Sequence, residues 1–232
     1  MKRLHITVEG GTEELFVNIC LARHLAEYGV FADARKVKTS EGPQEHIVFR
    51  GGFRRKNAYS MVRKDITNWI AEDTDQNCYF TTMFDYYALP EDFPGFADAQ
   101  RKYDKYEQTK IIEDALCADI ASPRFIPYIQ LHEFEALIFV DPQALSYEYI
   151  EHEEAINRLK EIAQEFGNPE LINNAPTTSP SKRIISLIPE HKGNKISGAM
   201  VAQRIGIQRL KERCSNFSSW IQKLESLDQQ SI

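Results

Sequence analysis

Carboxylates recur at three places in this chain where a strand should end. The run Leu4-His5-Ile6-Thr7-Val8 alternates and is rich in β-branched residues. It gives way to Glu9-Gly10-Gly11-Thr12-Glu13-Glu14, a glycine turn that opens a helix with Thr12 as its expected N-cap. The largely apolar run from Asn77 to Phe84 ends at Asp85, and the run from Arg124 to Leu131 ends in His132-Glu133-Phe134-Glu135. A lone strand-end acid is commonly a solvated loop residue. Three clusters at successive strand ends differ, because like charges brought together repel and raise one another's pKa. A divalent cation relieves that repulsion, which makes Glu9, Glu13, Asp85, Glu133 and Glu135 candidate metal ligands. The helix opened by this turn also presents free amides that suit a phosphate beside the metal. In extended chain Glu133 and Glu135 point the same way; on a helix they diverge and one alone reaches the site.

Other residue types bear on the choice of cation and substrate. Cys20, Cys78, Cys117 and Cys214 are scattered without a Cys-x-x-Cys pair and read as buried, reduced thiols. The expected cation is therefore a hard, oxygen-bound one, Mg²⁺ or Mn²⁺. Arg50, Arg54, Arg55 and Lys56, with Phe53 and Tyr59, could follow a nucleic-acid backbone and stack on a base, or form an ordinary basic loop. His132 either orients a carboxylate, binds a softer metal, or is a hydrogen-bonded structural histidine. Tyr86 and Tyr87 either pack against substrate or belong to the core and its rim.

The elements that must hold these residues alternate. A strand over 4–8, a helix to about Tyr28, a strand from Phe31 to Lys38, a break at Glu41-Gly42-Pro43, a helix around Met61–Ile70 and a strand ending at Asp85 give the rhythm of a mostly parallel sheet. Pro90 and Pro94 make the stretch from Ala88 to Gly95 a loop. A helix is expected from about Asp98 to Cys117, then the strand from Arg124. From Pro142 the pattern is helical, around 152–166, 179–188, 196–206 and 215–227. The expected organisation is an α/β core over 1–141 and a helical C-terminal region over 142–232 packed on it.

Composition narrows the class. The 232 residues suit one α/β domain with a helical appendage, and 42% hydrophobic residues suffice for a packed core. No run approaches a membrane span, and Met1-Lys2-Arg3 precedes a short strand rather than a secretory core, so a cytoplasmic protein without membrane association is expected. Net charge is −6, yet from Pro180 onward nine Lys and Arg face four Asp and Glu. That asymmetry fits an acidic site beside a basic surface, or simply amphipathic helix surface. No Walker A loop, dinucleotide fingerprint, zinc-ligand pair or Gly-x-Ser-x-Gly turn is present, which argues against NTP hydrolysis, hydride transfer and serine hydrolysis.

Four segments carry a resemblance to a known family. They are Val8 to Glu14; Phe84 to Pro90 with Asp92 to Gly95; Ile126 to Leu137; and Ser179-Pro180-Ser181-Lys182-Arg183-Ile184. Together they resemble the bacterial domain family of unknown function DUF4276, grouped with Toprim-like proteins. The first segment is similar to the opening motif of the Toprim domain in OLD-family nucleases. The resemblance implies a Toprim-like (Rossmannoid) α/β fold and Mg²⁺-dependent phosphoryl transfer, most simply by a nuclease. It also implies a role in bacterial defence or a mobile element and an ABC-type ATPase partner. In Toprim enzymes a glutamate after the first strand and an Asp-x-Asp after a later one hold the metal. Glu9 matches the glutamate and Asp85 the first aspartate, while Tyr87 stands where the second would be. Glu91, Asp92, Glu133 or Glu135 would have to replace it. The implied catalytic set is Glu9, Glu13, Asp85 and Lys182. Arg183, Lys192, Lys195, Arg54 and Arg55 are substrate-binding candidates, with His191 beside Lys192. A non-catalytic module that binds nucleic acid or the ATPase, and a phosphatase acting on small substrates, are the rival expectations.

Overall fold

The computed structural model describes residues 1–37, 58–173 and 177–229. Strand β1 (Lys2–Val8) runs into helix α1 (Gly11–Phe16), which continues through one π-helical turn (Val17–Leu21) into α2 (Ala22–Ala26). Then come β2 (Val30–Lys36), α3 (Ala58–Glu72), β3 (Cys78–Asp85), the short α4 (Phe96–Ala99) and α5 (Lys105–Ile120). Asp104 separates α4 from α5 because its side chain caps the amides of Tyr106 and Glu107, so the single helix expected over 98–117 is two. Strands β4 (Phe125–Ile126) and β5 (Ile129–Gln130) follow.

Every pairing in the sheet is parallel. The order is β2-β1-β3-β4, and β5 lies along β3 beyond β4. The strand expected from Arg124 to Leu131 is thus two short pieces. Pro127 lies in the gap between them, where it can offer no ladder donor.

The remainder is helical, as expected: 3₁₀ turns over Phe134–Val140 and Pro142–Tyr147, then α6 (Glu153–Phe166), α7 (Pro180–Leu187), α8 (Lys195–Ile205), α9 (Ile207–Arg213) and α10 (Ser215–Glu225). α9 is additional; Gly206, at φ +84°, supplies the corner that separates it from α8. Two apolar clusters sandwich the sheet. Leu4, Ile6 and Val8 face one that includes Phe16, Leu21, Leu137, Val201, Phe217 and Trp220, so the C-terminal helices share the core of the sheet. Phe80, Phe84 and Cys78 face the other, with Val62 and Ile66 of α3 and Ile112 and Leu116 of α5. Cys20, Cys78 and Cys214 are buried thiols, but Cys117 is exposed. Among the described residues, no helix is long and apolar enough to cross a membrane.

Candidate metal centre

The strand order fixes where a ligand can enter. From β1 the chain crosses to β2 on one side and then returns to place β3 on the other, so the winding reverses between β1 and β3. Parallel sheets bind ligands outside the carboxyl ends of the strands at such a switch point, where the two loops part. Glu9 follows β1 directly, and Asp85 ends β3.

The acids interlock there. The amide of Asp85 donates to Glu9 Oε2 at 3.2 Å. Glu13 folds back so that its Oε2 accepts from the amide of Gly10 at 2.9 Å, and this bond, rather than a Thr12 side chain, closes the first turn of α1. A Cβ on Gly10 would stand 3.0 Å from Glu13 Oε2, so a larger residue there would push that carboxylate back by a few tenths of an ångström. Glu9 and Glu13 are both buried. Burial, first, and then the charge of Glu13 hold Glu9 well above the usual carboxylate range. Asp85 is raised likewise, by burial and then by Glu9. Burial raises Glu13 as well, against the pull of the backbone amides and the ammonium of Lys195.

The third wall is His132 to Glu135. His132 sits at φ +62°, takes the Tyr87 amide on its carbonyl at 3.1 Å and packs its ring 5.5 Å from that of Tyr87. Its Nδ1 lies 3.3 Å from Asn173 Nδ2, and burial lowers it to about 4, so the ring is neutral near pH 7 and structural in its contacts. Glu133 is extended and Glu135 lies in the first turn of the 3₁₀ segment, yet both feel Glu9 and Asp85. Glu133 Oε1 is already engaged by the amide of Ser181 at the start of α7. Glu135 is pushed up to about 8, by burial and then by Glu133.

Asp85 Oδ1 is buried without any hydrogen-bond partner. A buried carboxylate oxygen without a partner, beside other carboxylates, is one that a hard cation would satisfy, and an all-oxygen donor set is the kind that Mg²⁺ or Mn²⁺ takes. No three ligand atoms of these acids lie within 4.8 Å of one another among the described residues, so as placed they do not have the spacing of a ready-made ion site.

The basic candidates separate. The Lys195 stem crosses the turn, its Cδ 3.3 Å from where a Cβ on Gly11 would be, and Gly198 lets α8 approach α1, with Thr12 Cγ2 only 3.1 Å from the missing methyl. Lys182 is exposed and adjoins Ser181, hence the Glu133 edge. Lys192 is exposed on the loop before α8. Arg183 is turned away: its Nε donates to the Thr178 carbonyl at 2.7 Å and its guanidinium covers Phe166 at 5.1 Å. His191 is buried against the Tyr149 hydroxyl at 3.0 Å. Tyr86 is buried and donates to Gln108 at 2.8 Å, and Tyr59 bonds Asp119 and packs on Phe93. Asp92 accepts from the Tyr59 amide and does not enter the acid cluster. Arg50, Phe53, Arg54, Arg55 and Lys56 lie outside the described residues. The prominence of Lys195 over Lys182 was hidden in sequence, though Asn194, which caps the amides of Ile196 and Ser197, marks the helix start that delivers it.

A parallel α/β sheet with helices on both faces and an acid cluster at its switch point defines a Rossmann-like protein with a candidate cation site. The chain belongs to the family described as a domain of unknown function, DUF4276, which it matches over residues 8–225. No match was found among curated proteins or among solved structures.

Proposed function

We propose that this protein is a Mg²⁺- or Mn²⁺-dependent phosphoryl-transfer enzyme, a nuclease hydrolysing phosphodiesters. The observation that carries the reading is the unpartnered, buried Asp85 Oδ1 beside Glu9 at the switch point. Glu9 and Asp85 would hold the ion, with Glu13 and Glu135 beside them. When bound, the cation supplies Lewis acidity toward a phosphodiester oxygen and lowers the pKa of a water. Without the ion, burial and then Glu133 raise Glu135, so it is the acid of the group that most readily exchanges a proton near neutral pH. Lys195, whose charge reaches Glu13, and Lys182, next to Ser181, are exposed and would supply positive charge for a phosphate. The similarity of Val8 to Glu14 to a Toprim opening motif supports the same chemistry, and an ABC-type ATPase partner in a defence or mobile-element setting rests on that similarity alone.

One observation favours a second reading, a binding module without catalysis. Tyr87 stands where a second aspartate would complete the Toprim motif, and burial with the nearby Glu133 raises its phenol, which stays protonated and is a poor ligand. Incubation of the protein with single-stranded and duplex DNA and RNA in Mg²⁺ or Mn²⁺ separates the two. Cleavage should fall more than about 100-fold in Glu9→Gln and Asp85→Asn, since loss of even an outer-shell partner of a metal costs about 10–100-fold. Cleavage that survives both substitutions sinks the site; tight binding without cleavage selects the module.

A further inference from the structure

A second cluster lies at the opposite, amino edge of the sheet. β1 and β3 pair in the register Arg3↔Cys78 and His5↔Phe80, and His5 stacks on Trp69 of α3 at 4.4 Å. His5 and Cys78 therefore meet on the α3 face, where Asp73 leaves the end of that helix. One ligand atom from each of His5, Asp73 and Cys78 lies within 4.8 Å of the other two, the only such group among the described residues.

His5 has a carboxylate on each nitrogen. Nδ1 is 2.8 Å from Asp33 Oδ1, and Nε2 is 3.5 Å from Asp73 Oδ2. A neutral imidazole carries one N–H. The 2.8 Å contact with Asp33 can hold it, and the 3.5 Å between Nε2 and Asp73 Oδ2 is long for a hydrogen bond. A cation placed between them satisfies both. Asp33 then plays the part that a carboxylate plays behind a metal-bound histidine, fixing its tautomer and ring direction.

The other two ligands are braced before any ion arrives. Arg3 grips Asp73 on both oxygens, at 2.9 and 3.0 Å. Arg124 gathers the carbonyls of Ile70, Asp73, Asp75 and Cys78 at 2.9, 2.7, 3.0 and 3.3 Å, which fixes the segment that carries Asp73 and Cys78. One nitrogen, one oxygen and one sulfur form a donor set that suits zinc and not magnesium.

We infer that His5 Nε2, Asp73 Oδ2 and Cys78 Sγ bind a zinc ion, with Asp33 orienting the imidazole. The fourth position is left to water. Binding exchanges the Cys78 thiol proton, released to solvent, for a zinc–sulfur bond, with no change of oxidation state. The ion would tie the α3–β3 connection to β1, independently of the acid pocket at the other edge.

Co²⁺ titration of the purified full chain tests this, because a cobalt–thiolate bond has a charge-transfer absorption that carboxylates lack. One equivalent should produce that band, quench the fluorescence of Trp69 stacked on His5, and be displaced by Zn²⁺. Cys78→Ser should lose the band, and Asp33→Asn, altering an exposed side chain, should weaken affinity about 10–100-fold while leaving the fold intact. Glu9→Gln and Asp85→Asn should leave the band unchanged, so failure here and failure of the nuclease reading are separate results. Cys117→Ser should also keep it. No band in the wild-type protein, or a band that survives Cys78→Ser or vanishes in Cys117→Ser, overturns the proposal.

Discussion

Glu135 shows what the acid pocket costs in the absence of a cation. Folding moves this carboxyl from its ordinary 4.5 to about 8, chiefly by burial and then by the charge of Glu133. Between those values the folded state holds a proton that the unfolded state has released, so stability falls as pH rises through that window. Glutamine cannot ionise and escapes the penalty. Glu135→Gln should therefore match the wild-type protein near pH 4 and exceed it at pH 9 by about 2 kcal/mol or more, since each pKa unit is worth about 1.4 kcal/mol. Thermal melts of the metal-free protein at the two pH values measure this; equal melting shifts at both would mean that the carboxyl is not titrating in the folded state. Asp85→Asn should behave in the same direction, because Asp85 is raised by burial and by Glu9.

At the scale of elements, one buried acid has a structural task instead. Glu170 is fully buried and caps the start of α10, accepting from the amides of Asn216 and Phe217 at 3.0 Å each and from the Tyr106 hydroxyl at 3.0 Å. Glu170→Ala would strand these donors and should cost about 3 kcal/mol, roughly 6–12 °C in melting temperature for a chain of this size; a shift under a degree would show that water replaces the cap. This acid was illegible in sequence, because nothing local distinguishes a trans cap from a surface glutamate. The strands ending at Glu9 and Asp85 were legible, because alternation and apolar runs report burial directly. The division of β4 from β5 around Pro127, the separation of α9 at Gly206, and the first turn closed by Glu13 on Gly10 were not. Each depends on backbone geometry that hydropathy does not encode. That Glu9 and Asp85 end neighbouring strands at one edge was legible too, and the Asp85 amide reaches Glu9 there. The contacts of Arg183 and His191 with Thr178, Phe166 and Tyr149 were not legible, because they are set by the packing of α6 and α7.

At the scale of the whole molecule, the acid turn is the place where the sheet and the C-terminal helices meet. Glu9 and Asp85 come from adjacent strands, Glu133 is tied to α7 through Ser181, and Lys195 arrives on α8. A cation bound there would interact with the folded chain and not with the separated segments. Its binding should raise global stability by RT ln(1 + [M]/Kd), about 2.7 kcal/mol at one hundred times Kd, or roughly 5–11 °C in melting temperature. Protons compete for the same oxygens, since Glu9, Asp85 and Glu135 all have raised pKa values. The Mg²⁺- or Mn²⁺-induced rise should accordingly be large at pH 8 and shrink toward pH 5, and Glu9→Gln should abolish most of it at pH 8. A rise of equal size at both pH values, or one that persists in Glu9→Gln, would put the ion elsewhere on the protein and remove the physical basis for metal-assisted chemistry at this turn.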